Sequence, residues 1–187
     1  MWIKRLIQTA LILTFGVILL GSYTRLTDAG LGCPDWPGCY GQLIAPEASN
    51  ALAAKAFPDA PIEPTKAWTE MIHRYVAGTL ALLILFMAYQ VFFRCRNKRE
   101  VPWEIPCCLL FLVAFQAALG MWTVTLKLLP VVVMGHLLGG ITIFSLLCYF
   151  ALQSSKVKGQ NQARLRFFIN IAMAVVFCQI ALGGWVS

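Results

Sequence analysis

The chain has 187 residues, 59% of them hydrophobic and only 12% charged, with a formal net charge of +7. Soluble domains carry about 25% charged residues, so a water-soluble globular class is excluded and an all-α integral membrane protein is indicated. Nor does the charge describe a nucleic-acid surface, because it gathers at alternate ends of apolar runs: Lys4 and Arg5; Arg94, Arg96, Lys98 and Arg99; Lys156, Lys158, Arg164 and Arg166.

A membrane-spanning helix needs about 20 predominantly apolar residues. The chain offers Leu6–Ser22, Trp68–Phe93, Ile105–Leu126, Val131–Gln153 and Phe167–Val186. The first run follows Lys4-Arg5 as a signal peptide would, but no small-x-small cleavage site follows it, and it reads as an anchor. The positive-inside rule places the N-terminus and the basic connections in the cytoplasm, and a first span that starts almost at Met1, where a mitochondrial presequence would stand, makes a bacterial inner membrane the expectation. The Ser22–Ala67 loop and the turn at Lys127–Pro130 then face outward. Within that loop, "APEASNALAAKAFPDAPIEPTK" predicts at most a short helix.

Short connections make sequential spans antiparallel, so residues 1–153 are expected to form a four-helix bundle in the lipid bilayer. Residues 154–187 read as a cytoplasmic linker and a fifth transmembrane helix. An internal echo bears on that helix. "QAALGMWTV" (Gln116–Val124) and "QIALGGWVS" (Gln179–Ser187) share Gln, Ala, Leu, Gly and Trp, and "LLGSYT" (Leu19–Thr24) repeats the Leu-Gly-x-aromatic part. Aromatic preference for the interface and glycine packing explain part of it; a duplicated unit explains the rest. On that reading the fifth span begins a second, truncated bundle.

Of the seven cysteines, Cys33 and Cys39 lie in the outer loop, where an oxidising periplasm permits a disulfide or a redox-active pair. Cys95, Cys107, Cys108, Cys148 and Cys178 read as small packing residues.

The only two histidines are His73 and His136. Each is the sixth residue of a span running inward, so both imidazoles lie about 8–9 Å below the outer helix end. Ionisable groups at matched depth in a membrane point to function. Two histidines without cysteines make a poor zinc site but suit the axial positions of haem held between facing helices. Gly135, Gly139 and Gly140, with Ala77 and Gly78, either leave room for a flat macrocycle or allow close helix packing. Arg25 and Arg74 stand where haem propionates would meet them, although Arg25 also suits a snorkelling position. Glu70 is one turn from His73 on the same face. It is either a catalytic acid beside the macrocycle or an acid favoured by the helix dipole.

With these residues in view, the chain resembles the haem A synthase family. The resemblance lies in "GSYTRLTDAGLGCPDWPGCYG" (Gly21–Gly41), "EMIHRYVAG" (Glu70–Gly78) and "LLPVVVMGHLLGG" (Leu128–Gly140). It implies two four-helix bundles related by a pseudo-twofold axis, each with a histidine pair, and oxidation of the C8 methyl of haem O to the formyl group of haem A. His73 and His136 match the pair at the substrate haem, and Glu70 matches the catalytic acid. Cys33 and Cys39 match the outer-loop cysteine pair and are expected to be disulfide-bonded. Haem b belongs to a second bundle that this chain does not include. The implied partners are haem O synthase and an electron acceptor, and a homo-oligomer is compatible with the sequence. Two rivals follow from the same residues: a b-type cytochrome that only transfers electrons, and an assembly protein whose histidines merely bridge helices.

Overall fold

The computed structural model describes residues 2–95 and 103–154, together with positions 178, 180, 182 and 183. The basic connections at 96–102 and 155–177 lie outside the described residues. So does the expected fifth span, apart from those last four positions, which are helical.

The first four apolar runs form α1 (Trp2–Leu26), α3 (Pro64–Gln90), α4 (Glu104–Thr125) and α5 (Pro130–Ser154), and a π-helical turn, Val91–Cys95, continues α3. All four are long and apolar enough to cross a membrane. The loop between α1 and α3 carries one short helix, α2 (Ala51–Ala56), capped by the Asn50 side chain on the Ala53 amide. No strand occurs among the described residues; Cys39 and Gln42 form an isolated bridge.

The helices begin before the apolar runs do. Pro64 opens α3 because its fixed φ suits the first helical position and its missing N–H is not needed there. Hydropathy marks the part of a helix that prefers lipid, not the residue at which its hydrogen bonds begin. Within the helices, Thr14 and Thr24 donate to the carbonyls of Ala10 (2.6 Å) and Leu20 (2.8 Å), satisfying their hydroxyls without a partner helix.

α4 and α5 are joined by a tight turn. Lys127 and Leu128 adopt φ of +49° and +59°, and their amides return to the carbonyls of Val124 (3.0 Å) and Thr123 (2.7 Å). Pro130 then starts α5. α1 packs on α3 and α5, and α4 packs on the same two helices. The four therefore form a ring in which α3 and α5 face each other across a diagonal.

The bundle is filled unevenly along its length. At the end remote from the α1–α3 loop, Ile7, Ile84, Met87, Leu109, Leu147 and Phe150 form a fully buried core. Toward the loop end, no residue of α1 from 15 to 23, of α3 from 72 to 79, or of α5 from 131 to 142 is buried. A helix in a packed bundle buries a residue every three or four positions. At the loop end, burial among the helices is confined to residues such as Thr24, Met71, Leu119 and Val124.

The loop is a small folded unit of its own. Cys33 and Cys39 are bonded and fully buried, and closing so short a ring stabilises by about 2 kcal/mol on the chain-entropy model. Asp35 accepts the amides of Tyr40 (2.6 Å) and Gly41 (2.7 Å). Tyr40 packs edge-on against Phe57 and donates its hydroxyl to the Pro61 carbonyl at 2.9 Å. Burial, then the carboxylates of Glu63, Asp35 and Glu70, push the Tyr40 phenol up, so it remains the donor this contact needs.

Candidate functional site

α3 carries the residues that tie the loop to the bundle. Glu70 is 4% exposed and accepts the Cys33 amide at 2.8 Å. One turn along, Arg74 pairs with Glu70. Its other terminal nitrogen donates to the carbonyls of Asp35 (3.0 Å), Pro37 (3.3 Å) and Gly38. Tyr75 donates to the Leu43 carbonyl. The approach is close because Gly32 has no side chain: a Cβ there would lie 2.5 Å from the Lys66 carbonyl carbon.

These contacts change the account of two residues. The helix dipole acts within the first turn, and α3 begins at Pro64, so Glu70 stands too far along the helix for that term to explain it. Its partners are a loop amide and a guanidinium. Arg74 directs both terminal nitrogens to protein groups. Arg25 is in the last turn of α1, partly buried.

His73 lies three residues after Glu70 on α3, and His136 lies on α5, across the diagonal. Nδ1 of each is buried and lacks a well-formed hydrogen bond. The polar group within reach of each ring is on the backbone, Val17 for His73 and Gln116 for His136. Each ring thus approaches a neighbouring helix, α1 or α4, through the backbone alone. Buried polar atoms left in this condition cost stability, as expected of groups placed for a ligand.

The surroundings fit a flat, iron-centred group. Both histidines sit in helix stretches, 72–79 and 131–142, without a fully buried residue. Gly21 faces the His73 ring and Gly120 faces the His136 ring. Gly139 faces the Gln116 amide, which a Cβ would overlap, while a Cβ at Gly135 or Gly140 would only come into ordinary contact with Leu119 or Ile18. Among the described residues no cluster of three or more His, Cys, Asp or Glu side chains could hold a bare metal ion. Two imidazoles are enough only where a macrocycle supplies the remaining ligands.

Sequence reasoning selected His73, His136, Glu70, Arg25, Arg74, Cys33 and Cys39. The structure draws Glu70, Arg74 and Cys33 into one network and places the histidines on the diagonal helices α3 and α5. It adds Gly21, Gly120, Val17 and Gln116. Gly21, Gly120 and Gln116 had a signal, since they belong to the internal echo; Val17 had none.

Over residues 4–187 the chain matches the COX15-CtaA family, described as cytochrome oxidase assembly protein. It is 48% identical to a Heme A synthase of Shewanella oneidensis, across 97% of this chain and 56% of the relative. A Heme A synthase of Halalkalibacterium halodurans is 33% identical over 77% of this chain and 43% of its own length. One from Lysinibacillus sphaericus is 32% identical over 74% and 40%. The chain thus spans about half the length of these relatives. No solved structure matches.

Proposed function

Since the chain belongs to the COX15-CtaA family of cytochrome oxidase assembly proteins, we propose that it forms the substrate-haem half of a haem A synthase. The observation that carries this reading is the pair of histidines on the diagonal helices α3 and α5, each with a buried Nδ1 that has no side-chain partner. His73 and His136 would hold the iron of haem O from its two faces. The bound substrate brings the methyl group that the reaction oxidises to a formyl group.

The chain's own contribution is positional and electrostatic. Glu70 is a carboxylate held still by the Cys33 amide and Arg74, on the loop side of His73. Such a charge stabilises positive charge developing beside it, and its oxygens orient a water, without reorganising during the reaction. The disulfide loop, clamped by Arg74 and Tyr75, covers this end and limits access of bulk water. Arg25 and Arg74 supply positive charge for the propionates, Arg74 through its field because its terminal donors are engaged.

Residues 1–153 act as the haem-binding unit and 154–187 open a second bundle, in which haem b and its own histidines would serve electron transfer to an acceptor. Haem O synthase is the implied supplier of substrate. The loop end faces the periplasm and the N-terminus the cytoplasm. Reporter fusions at Ala54 and Lys98 are expected to lie on opposite sides of the inner membrane; the same side for both would reverse this orientation.

The reading is tested by purifying the chain after coexpression with haem O synthase. A low-spin Soret band and extractable haem O or haem A are expected. Protein purified without a Soret band overturns the reading, and haem b alone makes the chain an electron-transfer cytochrome.

A further inference from the structure

The two histidines belong to two equivalent helix hairpins. α1 reads Leu20-Gly21-Ser22-Tyr23-Thr24 and α4 reads Leu119-Gly120-Met121-Trp122-Thr123, the same Leu-Gly-x-aromatic-Thr pattern. In the first hairpin, a Cβ on Gly21 would lie 3.0 Å from Cε1 and 3.5 Å from Nε2 of His73. In the second, a Cβ on Gly120 would lie 3.4 Å from Cε1 and 3.9 Å from Nε2 of His136. Four residues before each glycine stands the residue whose backbone reaches the same ring: Val17 before Gly21, and Gln116 before Gly120.

The coincidence has a physical cause. In an α-helix the carbonyl of residue i points at the amide of residue i+4. A side chain at i+4 shields that carbonyl from the flank, and glycine does not. The carbonyl has a second lone pair beyond its helical bond. A ring lying against the glycine can therefore reach the carbonyl one turn below. The glycine admits the ring edge, and the carbonyl selects its rotation.

We infer that Gly21 with the Val17 carbonyl, and Gly120 with the Gln116 carbonyl, are positioning elements that set the plane of the His73 and His136 imidazoles. The inference rests on the reading of these histidines as axial ligands and names the groups that orient them. A metal-bound imidazole donates more strongly through its remaining N–H, which would draw each ring toward its backbone carbonyl. Such outer contacts fix ring orientation and raise ligand basicity. The Leu-Gly-x-aromatic-Thr echo is then a repeated histidine seat, beyond the interface chemistry that also shapes it.

The experiment compares alanine variants of the chain loaded with haem O, read by electron paramagnetic resonance and by haem affinity. Gly21→Ala is expected to change the low-spin g-values and weaken haem binding roughly 10- to 100-fold, the range for lost outer contacts. Gly120→Ala, with its looser contact, should move the same signals less. Gly16→Ala is the control, because a Cβ there meets nothing within 4 Å, and it should match the parent. Melting of the haem-free proteins checks the fold. If Gly21→Ala fails to fold, Gly120→Ala carries the test, since its neighbour need give by only tenths of an ångström. Parent-like g-values and affinity in folded Gly21→Ala and Gly120→Ala overturn the inference. Should His73→Ala still abolish the low-spin signal in that case, ligation stands and only the seats fail. If the histidine variants also leave the signal untouched, both readings fall.

Discussion

His73→Ala and His136→Ala are each expected to abolish the low-spin haem spectrum of this chain. An iron with an imidazole on each face is six-coordinate and low-spin; losing either ring leaves it five-coordinate. The Soret band should broaden and shift, and haem should be lost more readily on washing. The fold should survive both changes. Each ring buries an Nδ1 without a well-formed partner, and relieving such a group returns about 1–3 kcal/mol, which offsets lost packing. Haem-free variants should therefore melt close to the parent. Helix-bridging histidines predict the reverse, a lowered melting temperature and no haem spectrum to lose. A thioether can also serve as an axial ligand, so His136→Met should keep partial ligation. Retention of the low-spin spectrum in both alanine variants would place the haem elsewhere.

Glu70→Gln is expected to give a loaded but stalled enzyme. Removing one fixed electrostatic contact in a dry site costs roughly 10²–10³ in rate. Both axial histidines remain, so haem still binds, and haem O or a hydroxylated intermediate should accumulate instead of haem A. The structure defines the control this experiment needs. Glu70 also holds the Cys33 amide at 2.8 Å and pairs with Arg74, so its loss could act through the loop. Glutamine still accepts the Cys33 amide, and Arg74 keeps its loop carbonyls. The loop of Glu70→Gln should thus stay resistant to protease, whereas Glu70→Ala, which gives up both contacts, should loosen it. The decisive quantity is haem A formed per bound haem, read in the protein at its relatives' full length. A parent-like ratio in Glu70→Gln would remove the electrostatic role and leave Glu70 as a loop clasp.

Much of this was legible in one dimension. Four of the expected spans appear as α1, α3, α4 and α5, displaced by a few residues at their ends, because an apolar run of sufficient length commits a segment to lipid whatever its neighbours do. In lipid every backbone group must be satisfied within the segment, which leaves only the helix. The expectation of a matched depth for His73 and His136 came from counting residues along the apolar runs. The Cys33–Cys39 pair could be named because the loop offers no other cysteine.

Lateral contacts were a different matter. The order of the helices around the ring, with α3 and α5 on a diagonal, decides whether two histidines at equal depth meet at all. Glu70 and the Cys33 amide are brought together by the path of a folded loop, and no local periodicity records it. The dipole explanation for Glu70 also depended on where α3 begins, and only hydrogen bonding, not hydropathy, defines that residue. The echo around Gly21 and Gly120 was visible, but its meaning was not, since a glycine reads alike whether a helix, a ring or a lipid lies against it. Depth and span are set by the free energy of each segment in the bilayer, and the sequence alone determines them. Rotation and neighbourhood are set by packing between segments far apart in the chain, and only the tertiary structure decides those.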